Sequence, residues 1–480
     1  MMNILHRKNI KIIAWILLTT FFIVVLAIGI FNHFKPLPNG LSYEGNVYFT
    51  NDVKFLSDLT YKKHNGEMTS EQEIFNEAVK MIREAKDIII VDMFLFNDYT
   101  DQDRDFPDLS GKLTKALIEH KQRYPNLQIV FITDPINNGY HSYENKHIQQ
   151  LEDNDIEVVL TNLSKLHDSN KPYTSVWRLL FQPFGQSGKG WLPNPFANEA
   201  PSFTVRSYLE LFNVKANHRK VLITESSGLI TSANPHNESG YASNIGFKVT
   251  GEILVDMIEA EQAIINYSGG KTKINIPEQH ISKNGNIKVQ YVTEKKILRH
   301  LLSEINQAEK GDIIWSGMFY LANRDVIDAL RDASSRGVTV NLILDSNKVA
   351  FGNKKTGLPN IPVASELVKS DHITIRWYES EQDQYHTKLM YIKKQTESIV
   401  IGGSANYTTR NLDDLNLENN IVITANQNED IMKDVDYYFE RLWNNEDGLF
   451  TSDYESNEDR LTPLLRVTYW AQKLSGFTTY

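Results

Sequence analysis

Two histidine–lysine pairs in this chain share one local pattern. His218 and Lys220 stand two residues apart in NHRKVLITESSGLITSANPHN, residues 217–237. His386 and Lys388 stand two apart in YHTKLMYIKKQTESIVIGGSANYTTRN, residues 385–411. In each stretch an apolar run follows, then a turn, a second apolar run and Ser-Ala-Asn, which holds Ser232 and Asn234 in one and Ser404 and Asn406 in the other. Alternate residues of a strand project from one face, so His and Lys point together, and a hairpin returns Ser and Asn beside them. Two such clusters facing across a cleft suit phosphodiester transfer. One neutral imidazole attacks phosphorus, and the other, protonated, gives its proton to the leaving oxygen. Lys220, Lys388, Asn234 and Asn406 would surround the phosphoryl oxygens with charge and donors. A lone H-x-K says nothing: His6-Arg7-Lys8 has the same spacing, with neither a strand nor Ser-Ala-Asn after it.

The elements that must position these residues also come twice. Residues 71–96, EQEIFNEAVKMIREAKDIIIVDMFLF, echo residues 294–321, EKKILRHLLSEINQAEKGDIIWSGMFYL. Each is an amphipathic helix running into an apolar strand that ends in Met-Phe. A helix and a second strand follow in both, and those strands end on Asp134 and Asp345. A third pair is IEVVLT, residues 156–161, and ITIRWY, residues 373–378. Helices alternating with Val/Ile-rich strands predict an α/β fold of two similar repeats, each with a largely parallel sheet. The boundaries read as repeat 1 over 41–268, a Gly/Asn/Lys-containing linker over 269–287, repeat 2 over 288–450 and a tail over 451–480.

Composition narrows the chemistry. There is no cysteine, which excludes thiol nucleophiles, disulfides and Cys-zinc sites. No HExxH, EF-hand or His–carboxylate cluster has metal-ligand spacing, so no metal or other cofactor is expected. The net charge of −10 lacks the basic balance of a nucleic-acid binder.

Residues 12–31, IIAWILLTTFFIVVLAIGIF, carry no charge and are long enough to span a bilayer core. Arg7, Lys8 and Lys11 precede them, which predicts residues 1–11 in the cytoplasm and the rest outside. The long apolar run, followed by IFNHFKPLP without a small-x-small site, favours a retained anchor over a cleaved signal. Repeat 1 also carries an aromatic insertion that includes VWRLLFQPFGQSGKGWLPNPF, residues 176–196. It reads either as a lid or membrane-facing loop or as a packed excursion. LTPLLRVTYWAQKL, residues 461–474, reads as a helix that closes the core or lies at a lipid interface.

The paired motifs resemble the phospholipase D superfamily, whose signature is H-x-K-x4-D followed by a Gly-Ser-x-x-Asn-like turn, once per half. GGSANYTTRNLDDLNLE, from Gly402, matches it closely. The resemblance covers about residues 45–450. It implies two repeats packed with pseudo-twofold symmetry, preceded in this chain by the one transmembrane helix read above. It also implies a phosphohistidine intermediate resolved by water or an alcohol, with His218 as nucleophile, His386 as acid and Glu418 orienting His386. By chemistry alone, either imidazole can attack if its partner is protonated. The chain departs from the signature at the motif acid, which is Glu225 in repeat 1 and Lys393 in repeat 2; the second change is not a tolerable one. It departs again at Thr231, where repeat 2 has Gly403, and at Asn244-x-Gly246, where repeat 2 has Asn416-x-Glu418. Repeat 1 thus shows no orienting carboxylate at that place.

Three readings follow. The first is a membrane-anchored phospholipase D-type phosphodiesterase or phosphatidyltransferase acting on phospholipids, including cardiolipin-synthase-like transfer. The second is a single-strand nuclease of the same superfamily, with nucleic acid disfavoured by the charge. The third is a non-catalytic membrane-surface protein on a decayed scaffold.

Overall fold

The computed structural model describes residues 2–100, 104–276, 285–350, 353–379, 382–457, 462–475, 478 and 480. Residues 277–284 of the expected linker and Leu461 of the C-terminal segment lie outside them.

Each repeat builds one sheet. In chain order the first has β1 (Val53–Lys63), β2 (Ile88–Met93), β3 (Gln128–Thr133), β4 (Glu157–Leu160), β5 (Lys220–Thr224), β6 (Gly228–Thr231) and β7 (Asn244–Val249). The second has β8 (Ile287–Thr293), β9 (Ile313–Met318), β10 (Thr339–Leu344), β11 (Ile373–Tyr378), β12 (Lys388–Lys393), β13 (Glu397–Gly403) and β14 (Asn419–Asn426). Across the first sheet the order is β1-β7-β6-β5-β2-β3-β4, and across the second β8-β14-β13-β12-β9-β10-β11. The two orders are the same, which is the expected duplication.

The expectation of a largely parallel sheet is corrected. Only β2-β3-β4 and β9-β10-β11 run parallel, and the remaining pairs are antiparallel. The physical reason is the hairpin: β5-β6 and β12-β13 return directly, so the His-Lys strand enters its sheet antiparallel to β2 or β9.

Helix packing follows the apolar periodicity. Helices Ile74–Glu84 and Leu109–Arg123 cover one face of the first sheet, and Lys295–Gln307 and Arg324–Ser335 cover one face of the second. The other faces share one core. There β7 residues Ile245 and Phe247 meet Leu389, Val400 and Ile421 of the second sheet, together with helices Ile253–Ser268 and Asp430–Asn444. Each fully buried large aliphatic side chain there contributes roughly 1.5–3 kcal/mol. The approach is close: a Cβ on Gly402 would lie 2.7 Å from the Phe247 ring. The halves are therefore fixed to one another at the level of their strands, which a site built from both requires.

At the N-terminus, helix α1 (Met2–Phe34) includes Asn9–Phe34, long and apolar enough to cross a membrane. Its last turns lie on helix Lys171–Leu180 of the insertion. A Cβ on Gly29 would come 2.9 Å from Ser175 Oγ. Lys35 Nζ donates to Ser164 O at 3.1 Å, and His167 Nε2 lies 2.8 Å from Lys35 O. In the insertion Trp177 and Phe203 are buried, whereas Phe184 and Trp191 are each 71% exposed. The C-terminal helix Thr462–Ser475 buries Tyr469, while Leu464, Val467 and Leu474 stay exposed.

Candidate functional site

His218 and His386 do not lie inside their strands. Each sits two residues before one, in a segment that pairs with the opposite half. Asn217 bridges Leu417, and Ser243 bridges Tyr385. His218 N donates to Leu417 O at 2.9 Å, and Ser243 N donates to Gln384 O at 2.8 Å. The aspartates that end β3 and β10 hold the residue before each histidine. Asp134 accepts from Asn217 N and Asp345 from Tyr385 N, both at 2.7 Å. Burial pushes their carboxyls up, to about 7 and about 6. Asn217 is fixed further by Asp92, whose carboxylate oxygens lie 2.8 and 3.0 Å from Asn217 Nδ2.

Strand alternation does the rest. Arg219 turns to the opposite face, where it meets Glu261 at 3.1 Å and Glu294 at 2.7 Å. Lys220 returns to the face of His218, and its Nζ donates to His218 O at 2.9 Å. Lys388 Nζ donates likewise to His386 O, at 2.6 Å. Two phenylalanines complete the pattern. Phe94 lies 4.8 Å from the His218 ring and 5.2 Å from Lys220 Nζ. Phe319 lies 5.1 Å from the His386 ring and 5.2 Å from Lys388 Nζ.

The orienting groups are exchanged between halves. Glu418 was expected to hold His386; instead its carboxylate lies against His218 Nδ1, at 2.8 Å through Oε1 and 3.0 Å through Oε2. His386 Nδ1 lies 3.0 Å from Asn244 Oδ1. The cause is the swapped pairing above, which carries each histidine past its own sheet to the other half's strand. The seryl contacts confirm which positions correspond. Ser404 Oγ donates to Glu418 Oε2, and Ser232 Oγ donates to Asn244 Oδ1 at 3.0 Å. So Asn244, not Gly246, is the counterpart of Glu418. Repeat 1 has an amide where repeat 2 has an acid. Asn411 Nδ2 also donates to Glu418 Oε1. A carboxylate or amide oxygen accepts, so each Nδ1 carries the proton and each Nε2 is left with its lone pair.

Of the remaining expected residues, Asn234 Oδ1 accepts from Leu95 N at 3.3 Å. Asn406 Oδ1 is buried with no hydrogen-bond partner among the described residues. His218, Lys220, Ser232, Asn234, His386, Lys388, Ser404, Asn406 and Glu418 are all buried. Burial, with Lys220 and Lys388 adding repulsion, drives both imidazoles well below their ordinary value. Burial brings Lys220 down to about 7 and holds Lys388 well below its ordinary value, while it pushes Glu418 up to about 7. The two imidazoles and two lysines are thus groups whose charged forms become favourable when an anion enters. Among the described residues, no three His, Asp or Glu side chains group to hold a metal ion.

The departures at the motif acid fall outside this cluster. Lys393 was expected to be an intolerable change. It lies five residues beyond Lys388, roughly 17 Å at about 3.4 Å per residue, and pairs with Asp436 at 2.7 Å. Glu225 accepts from the backbone N–H groups of Lys86 and Asp87, at 2.9 and 3.2 Å. The position serves the far end of the strand. Thr231 pairs across to Gly246 and Gly403 to Asn420, so each repeat keeps one glycine where the strands crowd. A Cβ on Gly403 would lie 2.3 Å from Asn419 O.

Residues 301–443 match the family model described as "Cardiolipin synthase, PLD-like domain". The chain carries a phospholipase D-like domain. Its matched segment contains His386, Lys388, Ser404, Asn406 and Glu418, and the first repeat reproduces the strand order of the second. Phosphatidylserine synthase from Haemophilus influenzae Rd KW20 has a similar structure. It aligns over 90% of this chain and 96% of its own, with 12% identity and a TM-score of 0.52, a likeness of fold. A polyphosphate kinase from Porphyromonas gingivalis aligns over 88% of this chain and 56% of its own, at 8% identity and a TM-score of 0.41. Nuc from Salmonella typhimurium, a phospholipase D family member, aligns over 34% of this chain and 97% of its own, at 20% identity and a TM-score of 0.27. No curated protein sequence matches this chain.

Sequence reasoning left out Asn244, Phe94 and Phe319. The repeated Met-Phe at the ends of β2 and β9 was a signal for the phenylalanines. Asn244 had none, because its correspondence to Glu418 depends on strand pairing.

Proposed function

We propose that the chain is a membrane-anchored phosphodiesterase of the phospholipase D type that acts on phospholipids by hydrolysis or phosphatidyl transfer. The observation that carries this reading is the exchange at the two histidines. Each Nδ1 is held by the opposite half, by Glu418 or Asn244, so each imidazole has its Nε2 left to act on one substrate. His218 Nε2 attacks phosphorus, and the bond from phosphorus to the leaving oxygen breaks. His386, protonated at Nε2, gives that oxygen its proton. Water or an alcohol then gives its proton to His386 and attacks phosphorus, which releases His218. Glu418 faces the positive charge that develops on His218, which supports His218 as the nucleophile. Lys220, Lys388, Asn234 and Asn406 hold the phosphoryl oxygens. The anionic phosphate offsets the repulsion from the two lysines, which favours protonation of His386 when substrate is bound.

Lipid is favoured over nucleic acid by α1 and by the net charge of −10. Arg7, Lys8 and Lys11 before the apolar run support a cytoplasmic N-terminus and an external site. The test uses the full chain in detergent micelles beside His218→Ala and His386→Ala, offered mixed phospholipids and, separately, single-stranded DNA and RNA. Head-group release or a phosphatidyl-alcohol product, lost in both variants, is the expected result. Cleaved oligonucleotide with lipid untouched would assign the nuclease activity instead. No turnover of either by folded protein would leave the non-catalytic reading.

A further inference from the structure

An apolar cavity of about 110 Å³ adjoins the His218 side of the site. It is lined by Phe94, Leu95 and Ile136 from repeat 1 and by Phe196, Ala197 and Ala200 from the insertion. Its connection to the reaction centre is direct. Phe94 lies against the His218 ring, and Leu95 N donates to Asn234 Oδ1. Repeat 2 has no segment corresponding to the insertion, so the two sides of the pseudo-twofold site differ here.

We propose that this cavity receives the glycerol-proximal part of an acyl chain while the lipid's phosphorus sits between His218 and His386. The proposal rests on the phosphodiesterase reading above and adds what distinguishes the substrate. No lysine or arginine is among the residues lining the cavity. An acyl chain carries no charge and needs no donors, and each methylene it buries is worth about a fourfold gain in binding. Ala197 and Ala200 are 5% and 9% exposed, and as the smallest lining side chains they keep the space open. The insertion that supplies this wall also packs on the end of α1, so the cavity is joined to the element that enters the membrane.

The experiment compares the full chain, Ala197→Trp and the milder Ala200→Phe, all in phospholipid nanodiscs. One readout is photolabelling by a phospholipid with a diazirine on its acyl chain, mapped by mass spectrometry. Two others are turnover of long-chain lipid and of soluble bis(p-nitrophenyl) phosphate. The expected result is labelling of residues 194–200 in the unmodified chain, lost at least tenfold in both variants. Long-chain turnover falls about ten- to a hundredfold, while the soluble diester stays within twofold. Labels confined to α1, or variants that label and turn over lipid like the unmodified chain, would overturn the proposal. Labelling at 194–200 that the variants lose, with no turnover of any diester, would uphold the cavity and refute the reaction. Oligonucleotide cleavage impaired by Ala197→Trp, without lipid labelling, would overturn it in favour of a base-binding pocket.

Discussion

Glu418→Gln removes one charge and little else. The carboxylate lies 2.8 Å from His218 Nδ1, and an amide oxygen can still accept from that nitrogen, as Asn244 does at His386. What is lost is the attraction between a negative charge and the imidazole as it becomes positive during attack. For charges about 4 Å apart at an effective dielectric constant of about 20, that attraction is about 4 kcal/mol, or about three decades in rate. Burial sets the pH dependence by pushing the Glu418 carboxyl up to about 7. Below that pH the acid is protonated and the stabilisation is absent; above it the carboxylate is present. So kcat/KM for a soluble diester should rise through about pH 7 in the unmodified chain, as a property of the Glu418–His218 pair. Glu418→Gln should lack that limb. The deficit should be about a thousandfold at pH 8–9 and shrink to about tenfold at pH 5, because each unit below 7 costs the unmodified chain tenfold. A stopped-assay pH series on both proteins measures this. A variant within tenfold of the unmodified chain at pH 8, or one that keeps the same rise through pH 7, would refute the reasoning.

Asn244→Asp puts a charge 3.0 Å from His386 Nδ1 and should raise that imidazole by about one to three pH units. If His386 is the acid, the alkaline limb of kcat/KM moves up. An upward shift of the acidic limb would make His386 the nucleophile, and no shift of either would contradict both roles. The half-buried Lys393–Asp436 pair lies far from the site, so Lys393→Ala should change stability by about 1 kcal/mol or less in urea unfolding and leave kcat unchanged. Arg219→Ala leaves Glu261 and Glu294 buried without their cation and should lower stability by about 3–5 kcal/mol, seen as earlier unfolding in the same assay.

The duplicated H-x-K…S-A-N pattern was legible because each copy is local. Two-residue strand alternation and a short hairpin set the relation of His218 to Lys220 and Ser232 within one stretch of chain. The strand order was legible in part. Repeated helices and apolar strands pointed to βαβ units, but the antiparallel entry of β5 and β12 depends on which edge of β2 and β9 receives the hairpin, and spacing does not encode that. The exchange of orienting groups was illegible for a stronger reason. His218 and Glu418 are 200 residues apart, and their contact depends on how two sheets pack. Sequence spacing also aligned Glu418 with Gly246, whereas the seryl hydrogen bonds align it with Asn244. Lys393 looked damaging because motif spacing records distance along the chain, and a strand six residues long carries that position well away from the histidines.

The central claim is that His218 becomes covalently bonded to phosphorus while His386 carries the proton. The most direct measurement is rapid alkaline quench of the full chain during turnover of a phosphorus-labelled diester, followed by peptide mapping. The account predicts a base-stable, acid-labile adduct on the peptide that contains His218, absent in His218→Ala. An adduct on the His386 peptide, or steady turnover with label on neither, would contradict it.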